Sequence, residues 1–157
     1  MTDPTDMNTS SPVPGTYALV LESRIQTAVQ VGRCGTLLMQ PGFYVYVGSA
    51  LGPGGLCGRM KHHLTSSVRP HWHIDYLRRH TMLVATWYRY GRVRREHVWA
   101  RVLRDMTGSS LPLPGFGSSD CKCDSHLFYF PTLPTLDDLG AKVSCAFRDV
   151  GGTAQNW

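Results

Sequence analysis

The chain has 157 residues, of which 42% are hydrophobic and 17% charged, as expected for one globular domain with its own core. No apolar run reaches the roughly 20 residues of a membrane-spanning helix, and the N-terminus lacks the basic start and apolar stretch of a secretory signal. The five cysteines are an odd number, which argues against a closed disulfide framework. These features predict a cytoplasmic protein with reduced thiols.

Positive charge is concentrated in the middle of the chain. The sequence has 16 Lys and Arg against 11 Asp and Glu, a formal net charge of +5. Residues 59–105 hold 11 of the basic and three of the acidic residues, so their local charge is 11 − 3 = +8 and the remainder carries 5 − 8 = −3. Such a segment suits a polyanion such as nucleic acid; a solvated basic surface is the alternative.

The hydrophobic patterns predict one α/β domain at residues 15–150, without internal repeats. Residues 1–14 are rich in Thr, Ser and Pro and are expected to be a disordered tail, and residues 151–157 a loose one. The predicted order of elements is β-β-β-α-(α)-β-α-β-α. We therefore expect a small, mostly antiparallel sheet flanked by helices.

Period-two alternation of apolar side chains marks the predicted strands. In chain order they lie at residues 15–22, 27–31, 43–47, 82–90 and 126–130. The first two are expected to pair as a hairpin, and residues 36–39 to form a short apolar piece between turns. The third strand ends at a glycine-rich turn over residues 48–55.

Helical spacing begins after this turn. Helices are predicted at residues 54–66, 71–80, 94–106 and from Thr135 onward. The long helices have apolar stripes that should face the core: Leu56, Met60 and Leu64; Val98, Val102 and Met106; and Leu136, Leu139, Val143 and Phe147. Arg59 and His63 are four residues apart and share an adjacent face of the first helix.

An ordered set of motifs runs through these elements. Gly-Thr-Tyr ends at Tyr17 on the first strand, and Tyr-Val-Gly begins at Tyr46 on the third; Arg59, His63 and Glu96 follow on helices. Over residues 15–105 this set resembles the GIY-YIG nuclease superfamily, with the two tripeptides standing for the halves of its name. The stretches HWHIDYL and PGFGSSDCKCDSHLFYF resemble a small uncharacterised branch of stand-alone proteins in that superfamily.

The chain departs from the superfamily pattern in two ways. The two tyrosine motifs usually lie much closer together, whereas residues 18–45 separate them here, and the inserted strand at 27–31 with its loops accounts for the extra length. An Asn near the C-terminal end of the superfamily pattern has no clear counterpart.

The resemblance implies a nuclease site and a role for each residue. Tyr17, Tyr46 or the pair would take a proton from water, a step helped by nearby positive charge, which lowers a phenol pKa. Arg59 would hold the scissile phosphate with its planar donor fork, and His63 would relay a proton or contact a phosphate oxygen. Glu96, one of two glutamates, would bind Mg²⁺ or Mn²⁺, since Mg²⁺ accepts one or two carboxylates plus waters and phosphates.

Four further residues are candidates for contact with substrate. Gly48 lacks a side chain, so the backbone can pass close to a phosphate, and Ser49 follows it. His71 or His73 would lie near the phosphate. The structural alternative for this segment is a hydrogen bond between His71 and Asp75.

Two thiols and an imidazole lie close together at Cys121, Cys123 and His126. Paired zinc ligands are normally separated by at least two residues, and a fourth ligand is needed. The C-x-C spacing therefore disfavours zinc, although Cys145 could complete a site. A structured loop lining the cleft is the preferred interpretation.

The sequence thus predicts a Mg²⁺-dependent endonuclease acting on DNA, with RNA as the alternative substrate. The chain carries no separate recognition module, so structure-dependent cleavage is expected rather than sequence-specific cleavage. The rival hypothesis is a nucleic-acid-binding module of the same fold without turnover. A third hypothesis is a zinc-dependent interaction protein built around Cys121, Cys123 and His126.

Overall fold

The computed structural model describes residues 12–65, 69–118, 121–135, 137–139 and 148–151, the last as backbone only. The described residues form seven strands and three helices, which in chain order are β1 (Gly15–Ser23), β2 (Thr27–Val31), β3 (Gly35–Met39), β4 (Gly42–Ala50), α1 (Gly55–Leu64), α2 (His73–Arg78), β5 (Met82–Tyr90), α3 (Glu96–Asp105), β6 (Leu127–Phe130) and β7 (Arg148–Gly151). None of the described helices is long and apolar enough to cross a membrane.

A five-stranded antiparallel sheet lies at the centre, in the order β6-β4-β1-β5-β7. The central strand β1 pairs with β4 on one side and β5 on the other. Opposite Tyr17 in this register is Gly48, and opposite Leu19 is Tyr46. The predicted α/β fold with a mostly antiparallel sheet is confirmed.

Each face of the sheet has its own hydrophobic core, because successive side chains of a strand point to opposite faces. Tyr44 and Tyr46 belong to a core that also contains Met60 of α1 and residues of α2. Val45 and Val47 belong to a second core, which is covered by α3. Helices therefore flank the sheet on both faces.

The predicted pairing of the first two strands is wrong. β2 pairs with β3, which covers the short apolar piece expected between two turns, and the two form a separate two-stranded sheet. Both edges of β1 are already occupied by β4 and β5, so β1 has no free edge for β2. The pair lies in the chain between the two tyrosine motifs, and its inward residues Val29, Val31, Leu37 and Met39 extend the first core.

The predicted core face of α3 is partly wrong. Val98 is 47% exposed, whereas Trp99 and Leu103 are fully buried. The helix turns its larger apolar side chains inward, and Met106 just beyond it continues their stripe at helical spacing. The predicted stripe of α1 agrees better with the structure, since Leu56 and Met60 are both buried.

The structure describes part of each end of the domain. Within the predicted N-terminal tail, the carbonyl of Val13 accepts a hydrogen bond from Leu56 and that of Pro14 accepts one from Gly91. A helical turn begins after Thr135, whose hydroxyl donates to Asp138. The rest of that predicted helix and residues 1–11 and 152–157 lie outside the described residues.

Candidate active site

Tyr17 and Tyr46 lie on adjacent strands with their side chains on the same face of the sheet. Their ring centroids are 6.4 Å apart, and both belong to the first core. Tyr17 is fully buried and Tyr46 is 6% exposed. Two tyrosines that are distant in sequence thus come together through the β1–β4 pairing.

His63 joins the two tyrosines from α1. Its Nε2 is 2.8 Å from the Tyr17 hydroxyl, and its ring centroid is 6.4 Å from that of Tyr46. Burial lowers the pKa of His63 to about 3, so the imidazole is neutral at pH 7. Its Nδ1 is buried and has no hydrogen-bond partner among the described residues.

The two phenols are held in their neutral form. Burial raises the pKa of Tyr17 well above 10, and burial raises the pKa of Tyr46 to about 12. The positive charge of Arg59 lowers the pKa of both phenols and so offsets part of each rise. Glu96 and Asp75 raise the pKa of Tyr46 through their negative charges.

Arg59 lies one turn before His63 and is braced by an aromatic ring. Its guanidinium carbon is 4.2 Å from the centroid of the Trp72 ring, a cation–π contact. Trp72 also packs edge-on against His62 at 4.4 Å. The four side chains Tyr17, Tyr46, Arg59 and His63 are called the tyrosine cluster below.

Asp75 ties α1 to α2 behind this cluster. Its carboxylate accepts hydrogen bonds from the backbone N–H groups of His71 and Trp72, and both its oxygens are 3.1 Å from Nε2 of His62. These hydrogen bonds lower the pKa of Asp75 against the opposing effect of burial. The structure therefore joins His71 to Asp75 through the backbone, and the imidazole partner of Asp75 is His62.

Gly48 is buried beneath Tyr17. A Cβ atom at this position would lie 2.6 Å from Cζ of Tyr17, closer than any normal contact. The absence of a side chain thus lets the ring of Tyr17 lie across the strand and reach His63. In the structure Gly48 makes room for the ring of Tyr17. Its predicted contact with a substrate phosphate stays a prediction.

Glu96, the first residue of α3, contacts the end of β4 on the face that α3 covers. Its carboxylate accepts a hydrogen bond from the hydroxyl of Ser49, whose side chain alternates to the face covered by α3. Glu96 is 4% exposed, and its Oε1 is 3.2 Å from Nε of Arg94. From this position the negative charge of Glu96 raises the pKa of Tyr46.

His73 holds a loop against Tyr46. Its Nδ1 accepts a hydrogen bond of 2.8 Å from the backbone N–H of Gly117, and Phe116 packs edge-on against Tyr46 at 6.0 Å. Gly117 has a positive φ of 68°, and a Cβ there would lie 2.9 Å from the ring of Tyr46. His71 is exposed and packs edge-on against Trp72.

A second group of polar side chains lies beside Glu96. The side chains of His97, Cys121, Cys123 and His126 bring one donor atom each to within 4.8 Å of one another. Three of them were indicated by the sequence, whereas His97, which comes from α3, was not. No local spacing could have indicated His97, because only the packing of α3 against the segment at 121–126 brings it there.

Comparison with known proteins yields one finding. A family model described as a domain of unknown function, DUF123, matches residues 16–148. The chain belongs to the DUF123 family. No curated protein and no solved structure matches it. The part matched by the DUF123 model includes the whole tyrosine cluster, Glu96 and all four residues of the second group.

Proposed function

We propose that this DUF123 protein is a metal-dependent endonuclease of the GIY-YIG type, which hydrolyses phosphodiester bonds of nucleic acid, with DNA as the first substrate to test. The observation that carries the proposal is the tyrosine cluster. Two tyrosines on one sheet face, a neutral histidine bonded to one of them and a braced arginine form a set of proton-transfer and phosphate-binding groups. A packing role alone does not call for an imidazole with a buried nitrogen that lacks a hydrogen-bond partner in the described part of the chain.

Arg59 would bind the scissile phosphate. Its guanidinium offers paired donors that match two phosphate oxygens, and the cation–π contact with Trp72 holds the guanidinium in place before substrate arrives. A prepositioned cation stabilises the charge that develops on the phosphoryl oxygens during attack.

Tyr46 would take the proton of the attacking water as a phenolate, after first losing its own hydroxyl proton to solvent. It is the more exposed of the two tyrosines, and Arg59 lowers its pKa from the value that burial would otherwise give. His63 would hold Tyr17 in position beside Tyr46, since the neutral imidazole can accept a hydrogen bond from the Tyr17 hydroxyl or donate one to its oxygen. Both alternatives leave His63 uncharged in the resting protein.

Glu96 is the residue that would hold a divalent cation. The buried carboxylate of Glu96, the first residue of α3, is a suitable donor. Its partners include the hydroxyl of Ser49 and the mostly exposed side chain of Arg94, both able to move. Bound there, Mg²⁺ or Mn²⁺ would supply charge neutralisation and a more acidic water. Neutralising Glu96 would also remove its upward effect on the pKa of Tyr46.

A second candidate function is nucleic-acid binding without hydrolysis. The burial of both phenols favours it, because Tyr17 is fully buried, Tyr46 is only 6% exposed, and the loop at Phe116 and Gly117 lies against the Tyr46 ring. The basic segment at 59–105 serves either function.

Cleavage assays with a matched pair of variants test the proposal. The full chain is incubated with single-stranded, duplex, flap and branched DNA and with RNA, in Mg²⁺ or Mn²⁺. We expect cleavage of at least one substrate by wild type and by Glu22→Gln, which changes the other glutamate, and strongly reduced cleavage by Glu96→Gln. Binding of these nucleic acids without cleavage would select the second candidate, and the absence of both would overturn the two together.

A further inference from the structure

We propose that His97, Cys121, Cys123 and His126 bind a structural Zn²⁺ ion, a second metal site separate from the tyrosine cluster. Two thiolates and two imidazoles are the ligand set of a closed tetrahedral zinc site, and two thiolates balance the charge of the ion. This proposal is independent of the proposed nuclease activity.

The positions of the donor atoms fit such a site. His97 Nδ1 is 3.1 Å from Cys123 Sγ, and Cys121 Sγ is 3.3 Å from His126 Nε2. With Zn–N bonds of about 2.0 Å and Zn–S bonds of about 2.3 Å, the ligand atoms of a tetrahedron lie about 3.3–3.8 Å apart. All four donor atoms lie within 4.8 Å of one another, so small side-chain movements complete the tetrahedron.

Two features of the sequence disfavoured zinc, the lack of a fourth ligand and the C-x-C spacing, and the structure accounts for both. The missing fourth ligand is His97 from α3, so Cys145 is not required. The tight C-x-C spacing does not prevent both sulfurs from facing one point, because residues 121–125 follow an irregular path with bends. The backbone N–H of Cys123 also donates to Cys121 Sγ at 3.4 Å, and bonds of this kind support a metal-bound thiolate.

The surroundings of His97 provide further support. When Nδ1 binds the metal, Nε2 carries the proton and needs an acceptor, and Oε1 of Glu96 lies 3.7 Å from it. A carboxylate behind a metal-binding histidine is the usual arrangement for fixing its tautomer and orientation. His97, Cys121 and Cys123 also line a cavity of about 510 Å³, which gives the ion a path of entry.

The ion would connect two walls of the candidate active site. One wall is the start of α3, where His97 directly follows Glu96. The other is the loop that carries Phe116 and Gly117, which is tied to the cysteine segment by hydrogen bonds from Gly115 to Asp124 and from His126 to Phe116. Zinc at this point would therefore fix the loop that packs on Tyr46 relative to the carboxylate of Glu96.

Metal analysis of the full chain, purified without chelator, tests the proposal. We expect one zinc ion per chain by mass spectrometry in wild type and in the control Cys57→Ser, and its loss in the double variant Cys121→Ser/Cys123→Ser. His97→Ala should lower zinc retention against a competing chelator, whereas His80→Ala, which changes an exposed histidine, should not. Zinc far below one per chain in wild type grown with added Zn²⁺, or full zinc in the double variant, would overturn the proposal.

If the double variant fails to fold, measurements on the wild-type chain alone test the zinc proposal. Modification of its thiols with a mercurial should release the bound zinc to a colorimetric indicator. Replacement by Co²⁺ should produce the intense visible bands of tetrahedral coordination and a near-ultraviolet thiolate-to-cobalt band. A cobalt spectrum without the thiolate band would contradict the assigned ligands.

Discussion

Gly48 shows how a single missing side chain positions a candidate catalytic group. The ring of Tyr17 crosses its strand neighbour at a point where a Cβ atom would lie 2.6 Å from Cζ. The superfamily resemblance identified this glycine from its motif alone. Its physical role became visible only with the register that places Gly48 opposite Tyr17.

Gly48→Ala should therefore displace Tyr17 from His63. An added methyl group in a packed core costs typically about 1–3 kcal/mol, because the neighbouring ring cannot move freely. We expect a loss of stability in this range in urea unfolding, together with a strong loss of any cleavage activity. Gly52→Ala is the matched control, since nothing lies within 4 Å of a Cβ there. Equal stability of Gly48→Ala and wild type would show that the strands adjust to the methyl group.

His63 should make the protein sensitive to mild acid. Its pKa falls from 6.5 in the unfolded chain to about 3 in the folded one, so below pH 6.5 the unfolded chain takes up a proton that the folded protein does not. The free energy of unfolding should therefore decrease as the pH falls from 6.5 towards 3, by up to about 1.4 kcal/mol per pH unit.

Comparison with His63→Gln isolates this contribution. The pKa values of His73 and His126 are also lowered by burial, but they affect both proteins equally. The lowered pKa of Asp75 adds its loss only below its unfolded value of 3.8. We expect urea unfolding to give a shallower pH dependence for His63→Gln between pH 6.5 and 3.8. Identical slopes for the two proteins would contradict a buried, neutral His63.

Among the helices and strands, α3 shows which features the sequence predicts and which it does not. The position and length of the helix follow from its composition, but two apolar stripes compete along it. Val98 and Val102 form one with Met106, and Trp99 and Leu103 form another with the same Met106. Packing against the sheet selects the stripe with the larger apolar surface, a choice that only tertiary contacts decide.

Paired variants of α3 test this choice. Trp99→Ala should destabilise the protein by about 3–5 kcal/mol, because it empties a fully buried volume. Val98→Ala should change stability by no more than about 0.5 kcal/mol, since Val98 is largely exposed. Denaturant unfolding measures both. If Trp99→Ala leaves no folded protein, Leu103→Ala should still give a loss of about 2–5 kcal/mol. A larger loss for Val98→Ala than for these variants would contradict the packing of α3.

The strands also combine features that the sequence predicts with features that it does not. The alternation of apolar residues located β1, β2, β4, β5 and β6 to within a few residues, because period-two burial is a local property. Which strands pair is not local. β2 joins β3 because distant segments, β4 and β5, take both edges of β1. The same limit applies to the candidate site. The motifs identify a set of residues, namely Tyr17, Tyr46, Arg59, His63 and Glu96. The position of Glu96 at the end of β4 depends on the packing of α3, which the sequence does not show.

Over the whole molecule, two groups of polar residues lie on the two sides of the central sheet. The tyrosine cluster occupies the face covered by α1 and α2, and the Cys/His group with Glu96 lies by α3. Ser49 and Glu96 lie between them at the end of β4. In the proposed nuclease, the phosphate-binding residue Arg59 would lie on one side of the sheet and the metal-binding residue Glu96 on the other, and the two sides meet at the end of β4.

A comparison of Tyr46→Phe with Tyr44→Phe tests the central claim most directly. The two tyrosines lie two residues apart on the same face of β4, and each change removes one oxygen and almost no packing volume. With nucleic acid and Mg²⁺ or Mn²⁺, Tyr46→Phe should lower the cleavage rate by about 10²–10⁴, as expected for loss of a proton-transfer group, while binding and melting temperature stay close to wild type. Tyr44→Phe should cleave at nearly the wild-type rate. Equal cleavage by Tyr46→Phe and wild type would contradict the proposed mechanism.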